Sequence, residues 1–169
     1  MATYLLCGFM GSGKTTLMER LSDEAVAVDL DALIVEKLQI KGFDSIADFV
    51  EEEDWEEFRY VEADNLSFLL DQYADAESDV LVALGGGAVN DMTLTIIEDS
   101  DAKLVWLKVP FETCWERIKN DASRPLVLEG EEACHELYNE RVRYYKRAEI
   151  QVDPDNVKKI QDIKSLEIS

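Results

Sequence analysis

The sequence predicts an α/β protein, a parallel β-sheet layered between helices, and three observations carry that expectation. Apolar runs alternate with amphipathic stretches along the whole chain, the pattern of strands interleaved with helices. With 169 residues, 47% of them apolar, the chain has the length of one domain and enough apolar side chains for a real core. The first apolar run leads directly into Gly8-Phe9-Met10-Gly11-Ser12-Gly13-Lys14-Thr15-Thr16, which fits the spacing G-x-x-x-x-G-K-[ST] in a strand-to-helix context.

The elements follow in order. Tyr4–Cys7 reads as the first strand, ended by the glycine-rich turn, and the first helix is expected over Thr15–Ser22. Ala25–Asp29 is a second strand, followed by a helix over Ala32–Gln39. Residues 40–54 break the rhythm, being short, acidic and irregular, with Glu51-Glu52-Glu53-Asp54 placed to open or cap a long helix over Trp55–Tyr73. Val80–Leu84 is a strand that runs into Gly85-Gly86-Gly87, and Met92–Glu98 the helix behind it. Lys103–Lys108 and Phe111–Lys119 form the next strand and helix. Residues 120–131 are irregular again, with Arg124-Pro125 and Gly130 among charged neighbours. A helix over Glu132–Arg147, a strand over Ile150–Asp153 and a helix over Asn156–Leu166 complete the chain, with no internal repeat. The irregular segments 40–54 and 120–131 read either as covers over a site or as ordinary surface loops.

A formal charge of −20 and a pI near 4.2 argue against nucleic acid or an anionic membrane as partner. No apolar run approaches the roughly eighteen residues of a bilayer span. Leu5-Leu6-Cys7-Gly8 lacks the preceding basic and apolar segments of a lipid-attachment signal. The three cysteines, Cys7, Cys114 and Cys134, form no C-x-x-C pair, so neither a disulfide framework nor a zinc site is expected, and the cytoplasm is the expected location of a monomer.

The glycine-rich turn fixes the class of ligand. It directs backbone N–H groups inward as a nest for nucleotide phosphates, so Gly11, Ser12, Gly13, Lys14, Thr15 and Thr16 are candidate nucleotide contacts. Lys14 reaches the β and γ phosphates, Thr15 is placed to ligate Mg²⁺, and the helix start adds its positive dipole end. A motor or switch ATPase would end a second apolar run in a magnesium-linked Asp, whereas Val80–Leu84 ends in three glycines. These glycines let a ligand approach bare backbone, or else form a flexible strand exit. Asp29-Leu30-Asp31 closes the second strand, and period-two alternation puts both carboxylates on one side, one for magnesium through water and one for an acceptor hydroxyl; an ordinary helix N-cap, a role open to Asp31 also, is the plainer reading. Arg59 and Glu62 share a helix face, either as a pre-aimed guanidinium for a substrate carboxylate or as a surface ion pair.

Taken in sequence, Gly8–Thr16, Asp29-x-Asp31, Phe58-Arg59-x-x-Glu62, Gly85-Gly86-Gly87-Ala88-Val89, Arg124-Pro125-Leu126 and Arg141-x-x-x-Tyr145 resemble the shikimate kinase family over nearly the whole chain. Ser45-Ile46-Ala47-Asp48 is similar to the family's substrate-binding segment. The resemblance implies a single kinase domain over 1–169 of the nucleoside-monophosphate-kinase type, a three-layer α/β/α P-loop fold with a five-stranded parallel sheet ordered 2-3-1-4-5, a substrate region near 31–62 and a lid near 120–131. It implies transfer of the ATP γ-phosphoryl group to the 3-hydroxyl of shikimate, a step of aromatic amino-acid biosynthesis. Asp31 would then bind the acceptor hydroxyl, Arg59 and Arg141 the carboxylate, and Gly86 and Gly87 the ring hydroxyls. Lys14, Asp31 and Arg124 would carry catalysis, Thr15 and Asp29 would position Mg²⁺, and Arg117 with the loop Val152-Asp153-Pro154 would hold the adenine.

The chain departs from the family pattern at Leu30, where a Thr or Ser is usual, at Asp54-Trp55, usually Gly-Glu, and at Arg143-Tyr144, usually Pro-Leu. Two rival readings are a kinase for another polyhydroxy acid such as gluconate, and a nucleotide-binding regulator without turnover. The only histidine, His135, reads as a solvated helix residue. Trp55, Trp106 and Trp115 read as core or cover residues and Cys7 as a small core residue.

Overall fold

A computed structural model describes residues 1–168. Its sheet contains β1 (Thr3–Cys7), β2 (Val26–Asp29), β3 (Val80–Ala83), β4 (Lys103–Leu107) and β5 (Ile150–Val152), in the spatial order β2-β3-β1-β4-β5. Every pairing is parallel, so all five carboxyl ends lie along one edge of the sheet. The order matches the one implied by the family resemblance. Ligands of open parallel sheets bind at such an edge.

Ten helices flank the strands among the described residues: α1 (Lys14–Leu21), α2 (Leu30–Ile40), α3 (Ile46–Glu52), α4 (Trp55–Gln72), α5 (Asp91–Glu98), α6 (Phe111–Ile118), α7 (Pro125–Leu128), α8 (Glu131–Tyr145), α9 (Pro154–Val157) and α10 (Lys164–Ile168). Side chains alternate across the sheet, so Leu5 and Cys7 of β1 face one core while Tyr4 and Leu6 face the other. The first core collects Leu30 and Ile34 of α2, Phe58 and Leu66 of α4, Phe111 of α6 and Tyr145 of α8. The second is smaller and packs Leu17 and Leu21 of α1 with Leu166 of α10. Three layers result, with the helices divided unequally between the faces.

Three expectations about local structure are corrected. Residues 40–54 are not wholly irregular, because Ser45 accepts from the Asp48 N–H at 3.1 Å and so caps α3, which buries Phe49. Within 120–131, Pro125 opens the short helix α7. The single helix expected over Asn156–Leu166 is instead α9 and α10. Between them Ile160 and Ile163 turn into the core, with α1 and its following turn meeting freed backbone groups: Arg20 donates to the Val157 and Ile160 carbonyls at 3.0 Å each, and Glu24 accepts from the Ile163 N–H at 3.2 Å. Among the described residues, no helix is long and apolar enough to cross a membrane.

Candidate active site

The turn after β1 is shaped by glycine. Gly11 and Gly13 have φ of 78° and 95°, a region L side chains avoid, and a Cβ on Gly11 would stand 2.9 Å from the Cys114 carbonyl. Gly13 precedes α1 without a side-chain cap, and the first residues of that helix, Lys14, Thr15 and Thr16, line a cleft. The Lys14 ammonium folds over the turn and donates to the carbonyls of Gly8 at 2.5 Å and Phe9 at 3.2 Å. Burial lowers its pKa to about 8, against the opposing pull of the Asp31 carboxylate. A cleft of about 340 Å³ opens here, lined by Gly11, Gly13, Lys14, Thr15, Thr16, Asp29, Asp31, Gly85, Gly86 and Arg124.

A second cavity of about 290 Å³ adjoins it, and Met10, Asp31, Gly85, Gly86 and Arg124 belong to both walls. Its remaining lining includes Trp55, Phe58, Arg59, Glu62, Gly87, Arg141 and the α7 residues Pro125 and Leu126. The alternation argument for the two aspartates fails, since α2 begins at Leu30 and Asp31 lies in its first turn. Asp29, not Asp31, is the cap, accepting from the Ala32 N–H at 3.0 Å. Both carboxylates reach the first cleft nonetheless, and Asp31 also reaches the second. Burial, then the charge of Asp29, raises the Asp31 pKa, while Lys14 and Arg59 hold it down.

Arg59 and Glu62 form a 2.7 Å ion pair that is no surface pair, because the Glu62 side chain is only 1% exposed. Burial raises the Glu62 pKa and Arg59 opposes that rise. The guanidinium carbon of Arg59 lies 5.3 Å from the Trp55 ring centroid and 5.6 Å from that of Phe58, so two aromatic rings and a carboxylate restrict its orientation. Arg141 approaches from α8, its guanidinium carbon 5.8 Å from the Phe9 ring centroid. The three glycines have a reason beyond ligand access. A Cβ on Gly85 would stand 2.8 Å from the Asp31 carboxylate, one on Gly86 2.8 Å from an Arg141 nitrogen, and one on Gly87 2.9 Å from the Arg59 guanidinium carbon. Each glycine makes room for one charged side chain of the second cavity.

Arg124 lies where the two cavities meet and is held by Asp121 at 3.0 Å. Arg117 is exposed beside the glycine-rich turn, donating to the Gly11 carbonyl at 2.7 Å. Pro154 opens α9 beyond β5 and lines neither cavity. Sequence reasoning missed what holds the glycine turn. The Tyr145 hydroxyl donates to the Gly86 carbonyl, Asn90 donates to that of Gly87 at 3.3 Å, and Thr93 to that of Ala88. The four-residue interval from Arg141 to Tyr145 and the Asn90-x-x-Thr93 capping box were the available signals. Trp106 and Cys7 are core residues, Trp55 is 54% exposed at the cavity, and exposed His135 stacks flat on Phe111 at 4.3 Å.

A family model described as shikimate kinase matches residues 10–167. The chain is 32% identical over 157 residues to a shikimate kinase of Sulfurihydrogenibium sp., covering 92% of this chain and 89% of that protein. A shikimate kinase of Lactococcus lactis subsp. lactis is 32% identical over 152 residues, covering 88% and 86%. Among solved structures, shikimate kinase from Acinetobacter baumannii in complex with shikimate superposes with a TM-score of 0.74 at 25% identity, covering 94% of this chain and 90% of that one. The Aquifex aeolicus shikimate kinase gives a TM-score of 0.70 at 29% identity, covering 99% and 96%.

Proposed function

The chain belongs to the shikimate kinase family, and we propose that it transfers the γ-phosphoryl group of ATP to the 3-hydroxyl of shikimate across its two adjoining cavities. The observation that carries this reading is their shared wall: Asp31 and Arg124 stand between a phosphate cleft and a chamber holding two arginines, Arg59 and Arg141. Phosphoryl transfer asks a protein for alignment and for positive charge on the equatorial oxygens. The N–H groups of Gly11, Ser12, Gly13, Lys14, Thr15 and Thr16 cradle the phosphates. Lys14 and Arg124 supply charge to the transferring group, and Asp31 accepts a hydrogen bond from the attacking hydroxyl and holds it in line. Arg59 and Arg141 clamp the acceptor carboxylate, and Gly86 and Gly87 present backbone to the ring hydroxyls. Arg117, against Gly11, and Pro154 are assigned to the adenine end.

Thr15 and Asp29 line the phosphate cleft with hard oxygen donors, and one Asp29 oxygen caps α2 while the other accepts no hydrogen bond among the described residues. That donor set fits Mg²⁺, which binds through one or two carboxylates plus substrate phosphates. When bound, the ion neutralises charge developing on the β and γ oxygens. Residues 1–169 are taken as one kinase domain, with the substrate region near 31–62 and the lid near 120–131, acting as a cytoplasmic monomer; the free thiols of Cys7, Cys114 and Cys134 agree with a reducing compartment.

A gluconate-type acceptor would not need the three glycines together with Arg59 and Arg141. A regulator without turnover would not need Lys14, Thr15, Asp31 and Arg124 gathered along one cleft. Coupled measurement of ADP release tests all three readings. Shikimate is expected to stimulate release and gluconate not; stimulation by gluconate alone would refute the acceptor, and none by either would refute turnover.

A further inference from the structure

The turn that faces the acceptor is built from the residue type least able to hold a conformation. Three successive glycines, Gly85-Gly86-Gly87, have the widest backbone freedom of any tripeptide, yet each lies so close to Asp31, Arg141 or Arg59 that an added Cβ would fall within 3 Å of it. Something outside the turn must therefore set its peptide planes. The Ala88 N–H closes the turn on the Gly85 carbonyl at 3.0 Å, and Asn90 and Thr93 hold its far end. Only one side chain bonds the Gly86 carbonyl among the described residues, and it comes from α8.

That side chain is Tyr145, 0% exposed, its ring 6.0 Å from that of Trp106. Its hydroxyl donates to the Gly86 carbonyl, and Arg141, one helical turn earlier on α8, comes close to the same residue, a Cβ on Gly86 standing 2.8 Å from one of its guanidinium nitrogens. Because a peptide group is planar, fixing the Gly86 oxygen also fixes the direction of the Gly87 N–H. We propose that Tyr145 is a positioning residue for the acceptor: its hydroxyl fixes the Gly86–Gly87 peptide plane against α8, the helix that also carries Arg141, so that backbone and cation address the substrate from a fixed relative geometry. Burial keeps the phenol protonated, and hence a donor, across the neutral range. The kinetic part of the proposal rests on the shikimate kinase reading; the structural part does not.

Tyr145→Phe retains the ring and removes only the hydroxyl. Loss of one buried hydrogen bond at the acceptor is expected to raise the shikimate KM about tenfold while the ATP KM and kcat stay within about twofold. In the unliganded protein, exchange of the Ala88 amide is expected to accelerate about tenfold, with the Leu84 amide, bonded to Leu6 in the sheet, unchanged. Trp106→Phe alters the packing around the ring and spares the hydroxyl, so it should lower Tm and leave both KM values in place. Unchanged Ala88 exchange, or equal rises in both KM values of Tyr145→Phe, would overturn the proposal. Should the unmodified chain fail to use shikimate, the acceptor assignment falls, and the exchange comparison alone decides for or against Tyr145.

Discussion

At the scale of single residues the site is governed by what burial does to charge. Lys14 is half-buried at the wall of the cleft, and desolvation brings its pKa down to about 8, so its proton is held loosely in the unliganded protein. In the proposed role, Lys14 meets the triphosphate in its charged form, and raising the pH through 8 removes that charge. We expect kcat/KM for ATP, which reports the free enzyme, to fall as pH rises through about 8. A profile that stays level to pH ~9.5 would contradict that titration. Removing the ammonium outright in Lys14→Ala is expected to cost on the order of a thousandfold in kcat, about 4 kcal/mol of transition-state stabilisation. Near-normal turnover in that variant would show that the turn after β1 does not hold the donor. The motif made Lys14 legible from spacing alone. Asp31 was legible as a residue and not as a geometry, because the start of α2 depended on Asp29 closing the helix at Ala32, and two neighbouring aspartates compete for that cap.

Elements decide whether these residues meet. The turn after β3 and helix α4 bring Gly87 and Arg59 together, and the glycine is needed for space rather than for an unusual φ. In Gly87→Ala the new methyl would press on the Arg59 guanidinium carbon at 2.9 Å, while Glu62 holds that guanidinium at 2.7 Å from the other side. The shikimate KM is expected to rise by about tenfold or more with the ATP KM within about twofold, since only uniform binding at the acceptor is disturbed. Equal rises in both constants would place the damage in the shared wall instead. Helix α4 also carries an expendable polar group: Asn65 is 8% exposed, donates to the Val61 carbonyl at 2.7 Å, and leaves its Oδ1 without a partner among the described residues. Asn65→Leu, of similar size, is expected to stabilise by about 1 kcal/mol, or roughly 2–4 °C in Tm. A lowered Tm would mean that Oδ1 is solvated in solution. The long elements were legible because their apolar period repeats several times. The short helix α3 depends on Ser45 and one buried ring, Phe49, too little for periodicity to register. The break between α9 and α10 depends on Arg20 and Glu24, more than 130 residues away in the chain, and no local pattern encodes such partners.

For the molecule as a whole, parallel strands and helical layers could be inferred from alternation, but the order β2-β3-β1-β4-β5 could not, because period says which residues are strands and nothing about which strands are neighbours. Only the spaced motifs, taken together as a family pattern, implied it. Charge is the other property of this scale. The chain carries 37 acidic and 17 basic residues, yet its two cavities are lined by four cations, Lys14, Arg59, Arg124 and Arg141, against three carboxylates, Asp29, Asp31 and Glu62. The excess of negative charge therefore lies outside the site. Its cost is mutual repulsion in the compact state, opposed by exposed ion pairs such as Lys103–Glu167 and Arg147–Glu98 that contribute little each. Salt acts on both, but a surplus of like charges has more repulsive than attractive pairs at separations near the screening length. Raising KCl from about 0.1 to about 1 M shortens that length from about 10 to about 3 Å, so Tm is expected to rise by several degrees. NaCl at the same ionic strength should reproduce the increment, because screening depends on ionic strength and not on which monovalent cation provides it. A Tm that falls with KCl would show that the surface pairs outweigh the repulsion, and a rise confined to one cation would point to specific binding among the carboxylates instead of screening.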